Sequence, residues 1–69
     1  MTAKQTTFEI LDGMRKGEVF KTVDLTFQVN MRTGRNMFPD SVLRYIREYR
    51  EKRPIENISK SKSIYRMAG

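Results

Sequence analysis

The chain contains no cysteine and no histidine. Without thiols there is no disulfide and no thiolate-bound metal to hold a fold together, and without imidazole the commonest remaining metal ligand is gone. No metal and no cofactor are therefore expected. The same gap bears on catalysis. General-base or nucleophilic chemistry would rest on carboxylates, lysine, serine, threonine or tyrosine, none of which forms a recognisable constellation, so an enzyme is not expected. No apolar run approaches the roughly 18 residues needed to span a bilayer, and Met1 to Thr7 is polar, unlike a secretory signal. The expected compartment is reducing and cytoplasmic, at the nucleoid for a bacterial or phage source, where the glycosylation-like triplet Asn57-Ile58-Ser59 carries no meaning. Internal repeats, low-complexity tracts and Gly/Ser linkers are missing too, so residues 1–69 read as one domain with frayed ends near 1–5 and 68–69. A chain this short buries only about 60% of its unfolded surface, which demands a small, efficient core.

What the chain does have is a one-sided excess of positive charge. Residues 1–31 are neutral, with Lys4, Arg15, Lys16 and Lys21 balanced by Glu9, Asp12, Glu18 and Asp24. From Arg32 onward ten bases face four acids, which accounts for the whole formal charge of +6. A neutral half joined to a basic half suggests a scaffold carrying a surface for a polyanion, and nucleic acid is the commonest such partner.

Four segments are visible. Phe8, Leu11 and Met14, with Ile10 beside them, predict a helix from about Thr7 to Lys16, capped by Thr6 or Thr7, weakened by Gly13 and ended by Gly17. Glu18 to Lys21 puts Val19 and Phe20 in extended chain. Thr22 then offers a cap to a second helix, with Leu25, Val29, Phe27 and Met31 as its apolar side, Asp24 in its positive first turn and Gly34 as its stop. Pro39 suits the first position of a third helix that Pro54 closes. At about 100° per residue, Val42, Ile46, Tyr49 and Arg53 share one face with Tyr45 at its border, while Arg44, Arg47 and Glu51 cluster opposite. Leu43 and Arg50 flank one side, Ser41 and Glu48 the other. Residues 55–67 read as a hairpin whose loop is longer than two residues and whose tip is basic.

Helix, extended stretch, helix, turn, helix and basic hairpin, with the run Phe38-Pro39-Asp40-Ser41-Val42-Leu43-Arg44-Tyr45-Ile46-Arg47-Glu48-Tyr49-Arg50 as the third helix, resembles the winged helix-turn-helix superfamily over residues 7 to 67. The resemblance implies an α+β fold: three helices and a small antiparallel β-hairpin wing. It departs from the pattern in a long second turn and in Leu43, which stands where a polar group is more expected. It further implies that the third helix enters the major groove, with Ser41, Arg44 and Arg47 toward the bases, and that the hairpin rests on backbone or adjacent minor groove. An arginine bonding bidentately to guanine O6 and N7 is sound chemistry independent of any family. Arg32, Arg35 and Asn36, ahead of that helix, are positioned for flanking phosphate, and Lys60 and Lys62 at the hairpin tip for phosphate as well. The competing reading of each arginine is a solvated charge paired at helical spacing with Glu48 or Glu51.

The expected function is thus sequence-specific binding of double-stranded DNA by a small transcriptional regulator. The alternative is a winged module that binds RNA or a protein partner in a nucleic-acid-processing complex, since fold does not fix function. Membrane association of the third helix is disfavoured, because its apolar side has no tryptophan or phenylalanine. A module this small normally gains specificity from a dimer, tandem sites or a partner. A homodimer through the first helix or the hairpin is allowed, although no heptad segment supplies a dimerisation helix.

Overall fold

The computed structural model describes residues 2–69, so Met1, the first of the residues expected to fray, lies outside the described residues. The elements run α1 (Ala3–Asp12), β1 (Val19–Lys21), α2 (Thr22–Thr33), α3 (Pro39–Tyr49), β2 (Ile55–Ser59) and β3 (Ile64–Met67). They form a small α+β domain in which three mutually packed helices are joined by an antiparallel sheet of order β1-β3-β2.

Helix α1 starts four residues earlier than the apolar periodicity suggests. The cause is a capping box: the Gln5 N–H donates to the Thr2 hydroxyl at 3.1 Å while the Thr2 N–H donates to the Gln5 amide oxygen at 2.9 Å. Its inward face is Ala3, Thr6, Thr7, Ile10 and Leu11, with Phe8 and Met14 only partly buried against the core. Thr7 tolerates burial because its hydroxyl donates to the Ala3 carbonyl at 2.8 Å. Gly13 ends the helix, so the expected extension to Lys16 does not form. Gly17, at φ 89°, instead turns the chain so that its N–H meets the Met67 carbonyl.

This turn delivers β1 to the sheet. The extended stretch is a paired strand, with Val19 opposite Arg66 and Phe20 opposite Tyr65, their rings stacked at 5.8 Å. The hairpin therefore belongs to a three-stranded sheet. Thr22 does not cap α2 as expected: Lys21 occupies the cap position, and both the N–H and the hydroxyl of Thr22 donate to the Ser63 carbonyl, at 3.1 and 3.3 Å. Gly34 stops α2 in the left-handed conformation, φ 69°. Leu25 and Val29 are buried with Thr22 and Thr26, but Phe27 and Met31, expected on the apolar side, are exposed. Asn30 then fixes the α2–α3 connection, accepting from the Met37 N–H at 2.9 Å and donating to the Met37 carbonyl at 3.1 Å.

Pro39 occupies the first turn of α3, and Val42, Ile46 and Tyr49 are fully buried, as the periodicity requires. The helix ends at Tyr49, where tight turns take over before Pro54. Arg53 still points to the core side, where it works as a latch: its guanidinium donates to the carbonyls of Leu11 (2.9 Å), Met14 (3.0 Å) and Gly69 (2.7 Å). The expected fraying at residues 68–69 meets two ties, this bond to Gly69 and the Ala68 N–H to the Pro54 carbonyl at 3.0 Å.

Tyr49 lies edge-on to Phe8 and donates its phenol to Asp12 at 2.5 Å. That bond, assisted by Lys52 at 3.3 Å, holds the Asp12 carboxyl below its usual range against a smaller opposing effect of burial. Burial, then the bond to Asp12, raises the Tyr49 phenol. Among the described residues no buried side-chain polar atom lacks a partner.

Candidate nucleic-acid interface

Burying Val42, Ile46 and Tyr49 fixes the phase of α3, and the phase decides what the opposite face offers. Arg44 and Arg47 are exposed there, and Ser41 is half-buried at its edge. Two of the acids nearby are paired with other bases, while among the described residues Asp40 and Glu51 are exposed and pair with none. Glu48, the natural helical partner of Arg44, pairs with Lys4 of α1 at 2.9 Å, and Glu56 pairs with Arg66 at 2.7 Å. Among the described residues no carboxylate is within ion-pairing distance of Arg44, Arg47, Arg50, Lys60 or Lys62.

Beside this face, α3 and the hairpin enclose a cleft of about 350 Å³. Its apolar floor is Leu43, Ile46 and Tyr65, and Arg47, Arg50 and Lys60 supply three cations around it, with Asn57 and Ser63 as neutral hydrogen-bonding groups. Leu43 therefore sits where two elements meet and packs against the core, which accounts for an aliphatic side chain at that position. The Arg50 guanidinium lies 5.8 Å from the centre of the Tyr65 ring. Such a contact orients the cation while leaving its N–H groups free for an anion. Concave walls of low dielectric concentrate the field of the three cations.

The hairpin is shaped to reach this place. The β2–β3 register slips between Asn57 and Ser59, which leaves Ile58 out of the ladder, and Ser63 adopts φ 51° as the loop re-enters β3. Lys60 thereby joins the cleft, while Lys62 stays exposed on the loop beyond it.

The remaining expected residues fall elsewhere. Arg35 and Asn36 are exposed on the connection ahead of α3, in a shallow groove shared with Phe27 and Met31. Arg32 lines a different groove, between α1, β1 and α2, in company with Glu9, Glu18 and Asp24, so it is not joined to the basic cleft. Sequence reasoning missed Arg50 and Asn57, whereas Ser63 is expected from the hairpin as a neutral donor beside the lysines. Arg50 carried a signal, since it flanks Arg47 on the helical wheel, but only the hairpin's position shows which flank faces a second element.

Among the described residues no cluster of three or more acids could hold a metal ion, and no helix is long and apolar enough to cross a membrane. In comparisons with known protein families, with curated proteins and with solved structures, nothing matches this chain.

Proposed function

We propose that this chain is a winged helix-turn-helix protein that binds double-stranded DNA sequence-specifically as a small transcriptional regulator. Helix α3 is its recognition helix, and the β2–β3 hairpin is its wing. The observation that carries the reading is the pair Arg44 and Arg47 on the outward face of α3, without ion-paired acids, next to a hairpin that adds Lys60 to the cleft Arg47 lines. A helix about 10–12 Å across with its side chains fits a major groove about 12 Å wide. The order of elements, helix, strand, helix, helix, hairpin, supports the winged reading.

Each group then has a distinct task. Arg44 and Arg47 extend toward base edges, where a bidentate guanidinium discriminates guanine from the other bases. Ser41 contacts a base or phosphate at the near end of the helix. Arg50, stacked on Tyr65, and Lys60 and Lys62 hold phosphate, which sets affinity and register without reading sequence. Arg35 and Asn36 contact phosphate before the helix.

Selection of bound molecules from a random duplex pool, with single-stranded DNA and duplex RNA as competitors, tests the proposal. A recurring duplex motif that neither competitor displaces is the expected result. Equal competition by duplex RNA, or recovery of no motif, overturns it.

A further inference from the structure

Helix α2 distributes its side chains against the usual rule. It turns two threonines, Thr22 and Thr26, into the core, and the Thr26 hydroxyl is satisfied only by bonding back to the Thr22 carbonyl at 2.7 Å. Val23, Phe27 and Met31, spaced at i, i+4 and i+8, instead form a stripe along its outer face, 61%, 66% and 71% exposed. Phe38 is 77% exposed and follows directly on Met37, which Asn30 ties to this helix. Among the described residues, four of the six large exposed hydrophobic residues are thus on α2 or the connection bound to it. Single exposed apolar residues need no explanation, but an aligned set on a helix whose own core face is half threonine does.

We infer that this stripe is a homodimer interface, in which α2 packs antiparallel against α2 of a second copy about a twofold axis near Phe27. In that arrangement Phe27 meets Phe27 of the second copy and Val23 meets Met31, so the apolar stripe is self-complementary. The charges agree with the direction. Asp24 sits in the first turn of α2, whereas Arg35 lies just past Gly34 in the groove that Phe27 and Met31 line. Antiparallel packing brings the acidic end of each helix to the basic end of the other, twice, and opposes the two helix dipoles; parallel packing would set like on like. Asn30, a polar side chain beside the stripe, is occupied with the Met37 backbone and demands no partner.

The area sets the strength. Four such side chains offer roughly 500 Å² of apolar surface per copy, or about 1,000 Å² for the pair, at the lower limit for a specific interface. The dimer is accordingly weak and concentration-dependent. Its surface shares no residue with the α3–hairpin cleft and leaves that cleft free, but Arg35, which the DNA-binding proposal gives to phosphate, borders the stripe, so the dimer is measured without DNA.

Sedimentation equilibrium of the full chain without DNA, from low micromolar to near-millimolar concentration, tests the inference. The expected result is a monomer–dimer equilibrium whose dissociation constant rises by about tenfold or more in Phe27→Gln and, separately, in Met31→Gln, each with an unchanged melting curve. Asp24→Lys should also weaken the dimer, and adding Arg35→Glu should restore it; no restoration overturns the antiparallel arrangement. A monomer at every concentration overturns the inference, as does a dimer indifferent to both glutamine substitutions. If the protein stays monomeric but binds phosphatidylcholine vesicles, and both substitutions abolish that binding, the occupant is a lipid surface and the inference fails.

Discussion

Replacing Arg44 or Arg47 by alanine should relax base discrimination at two neighbouring positions of a DNA site while leaving the fold unchanged. Both side chains are exposed, and among the described residues neither is paired with a carboxylate, so truncation removes no structural contact. Three residues apart on α3, they are separated by a rise of about 4.5 Å, a little more than one base-pair step of about 3.4 Å, and by about 60° around the axis. Each would then address its own base pair. A good bidentate arginine–guanine contact is worth about 1–3 kcal/mol of discrimination, or about 5- to 150-fold in relative affinity. The assay is fluorescence anisotropy at fixed salt, comparing the selected duplex, single-position variants of it and a scrambled duplex. Arg44→Ala should become indifferent to one base pair and Arg47→Ala to the adjacent one, with much smaller losses on scrambled DNA. Equal proportional losses on selected and scrambled duplexes would reduce both arginines to phosphate contacts and refute the direct-readout assignment.

Lys60→Ala with Lys62→Ala should weaken selected and scrambled duplexes by similar factors and lower the slope of log affinity against log salt by about 1.8; a parental salt slope would place the hairpin tip away from DNA. Ile46→Ala, at a fully buried position in the middle of α3, should cost about 2–5 kcal/mol in urea unfolding, and an unchanged midpoint would contradict the helix phase. Tyr49→Phe should cost about 1 kcal/mol near neutral pH, because the bond to a half-exposed carboxylate is partly screened. Asp12 is shifted down, so its share is present above the ordinary value of 3.8 and lost as pH falls through the lowered one; Tyr49 is shifted up, so its share is present below 10.0 and lost as pH rises. The stability difference between parent and variant should be level between those limits and shrink beyond both, and a difference independent of pH would show that the bond contributes nothing.

Helix α3 was the most legible element because its signals agree: Gly34 before it, Pro39 at its start, and an uninterrupted apolar face at Val42, Ile46 and Tyr49. The start of α1 was hidden because its first turn faces the core with Ala3, Thr6 and Thr7, which carry little apolar signal, and the Thr2–Gln5 box alone marks the boundary. Hydropathy also misplaces Phe27 and Met31. The phase of α2 is set by Leu25 and Val29 together with two threonines whose hydroxyls are internally satisfied, a pattern that looks polar in sequence and is buried in fact. The role of β1 depends on pairing residues as distant as Val19 and Arg66, and no local pattern encodes that partner. The same limit applies to the site. Arg44 and Arg47 follow from helix phase, whereas Arg50 and Asn57 emerge only once the slipped hairpin register sets the sheet beside α3.

The basic half of the chain can be divided by what its cations do, and the division supports the proposed ligand surface over a purely solubilising role. Arg53 is spent on backbone carbonyls, Lys52 on Asp12 and Arg66 on Glu56. Arg32 faces a groove that contains three carboxylates. Solubility alone would leave the other bases scattered among acids, as surface charges usually are. Instead Arg44, Arg47, Arg50, Lys60 and Lys62 gather on α3 and the adjoining hairpin, while Glu48, the acid best placed to neutralise Arg44, is held by Lys4 on another helix. Keeping like charges together without direct ion pairs raises the energy of the free protein, and under the proposed function a polyanion would relieve that repulsion. The ion pair between Lys4 and Glu48 therefore matters to the proposed function less through its own stability, which is small for exposed groups, than through the carboxylate it keeps away from the basic face.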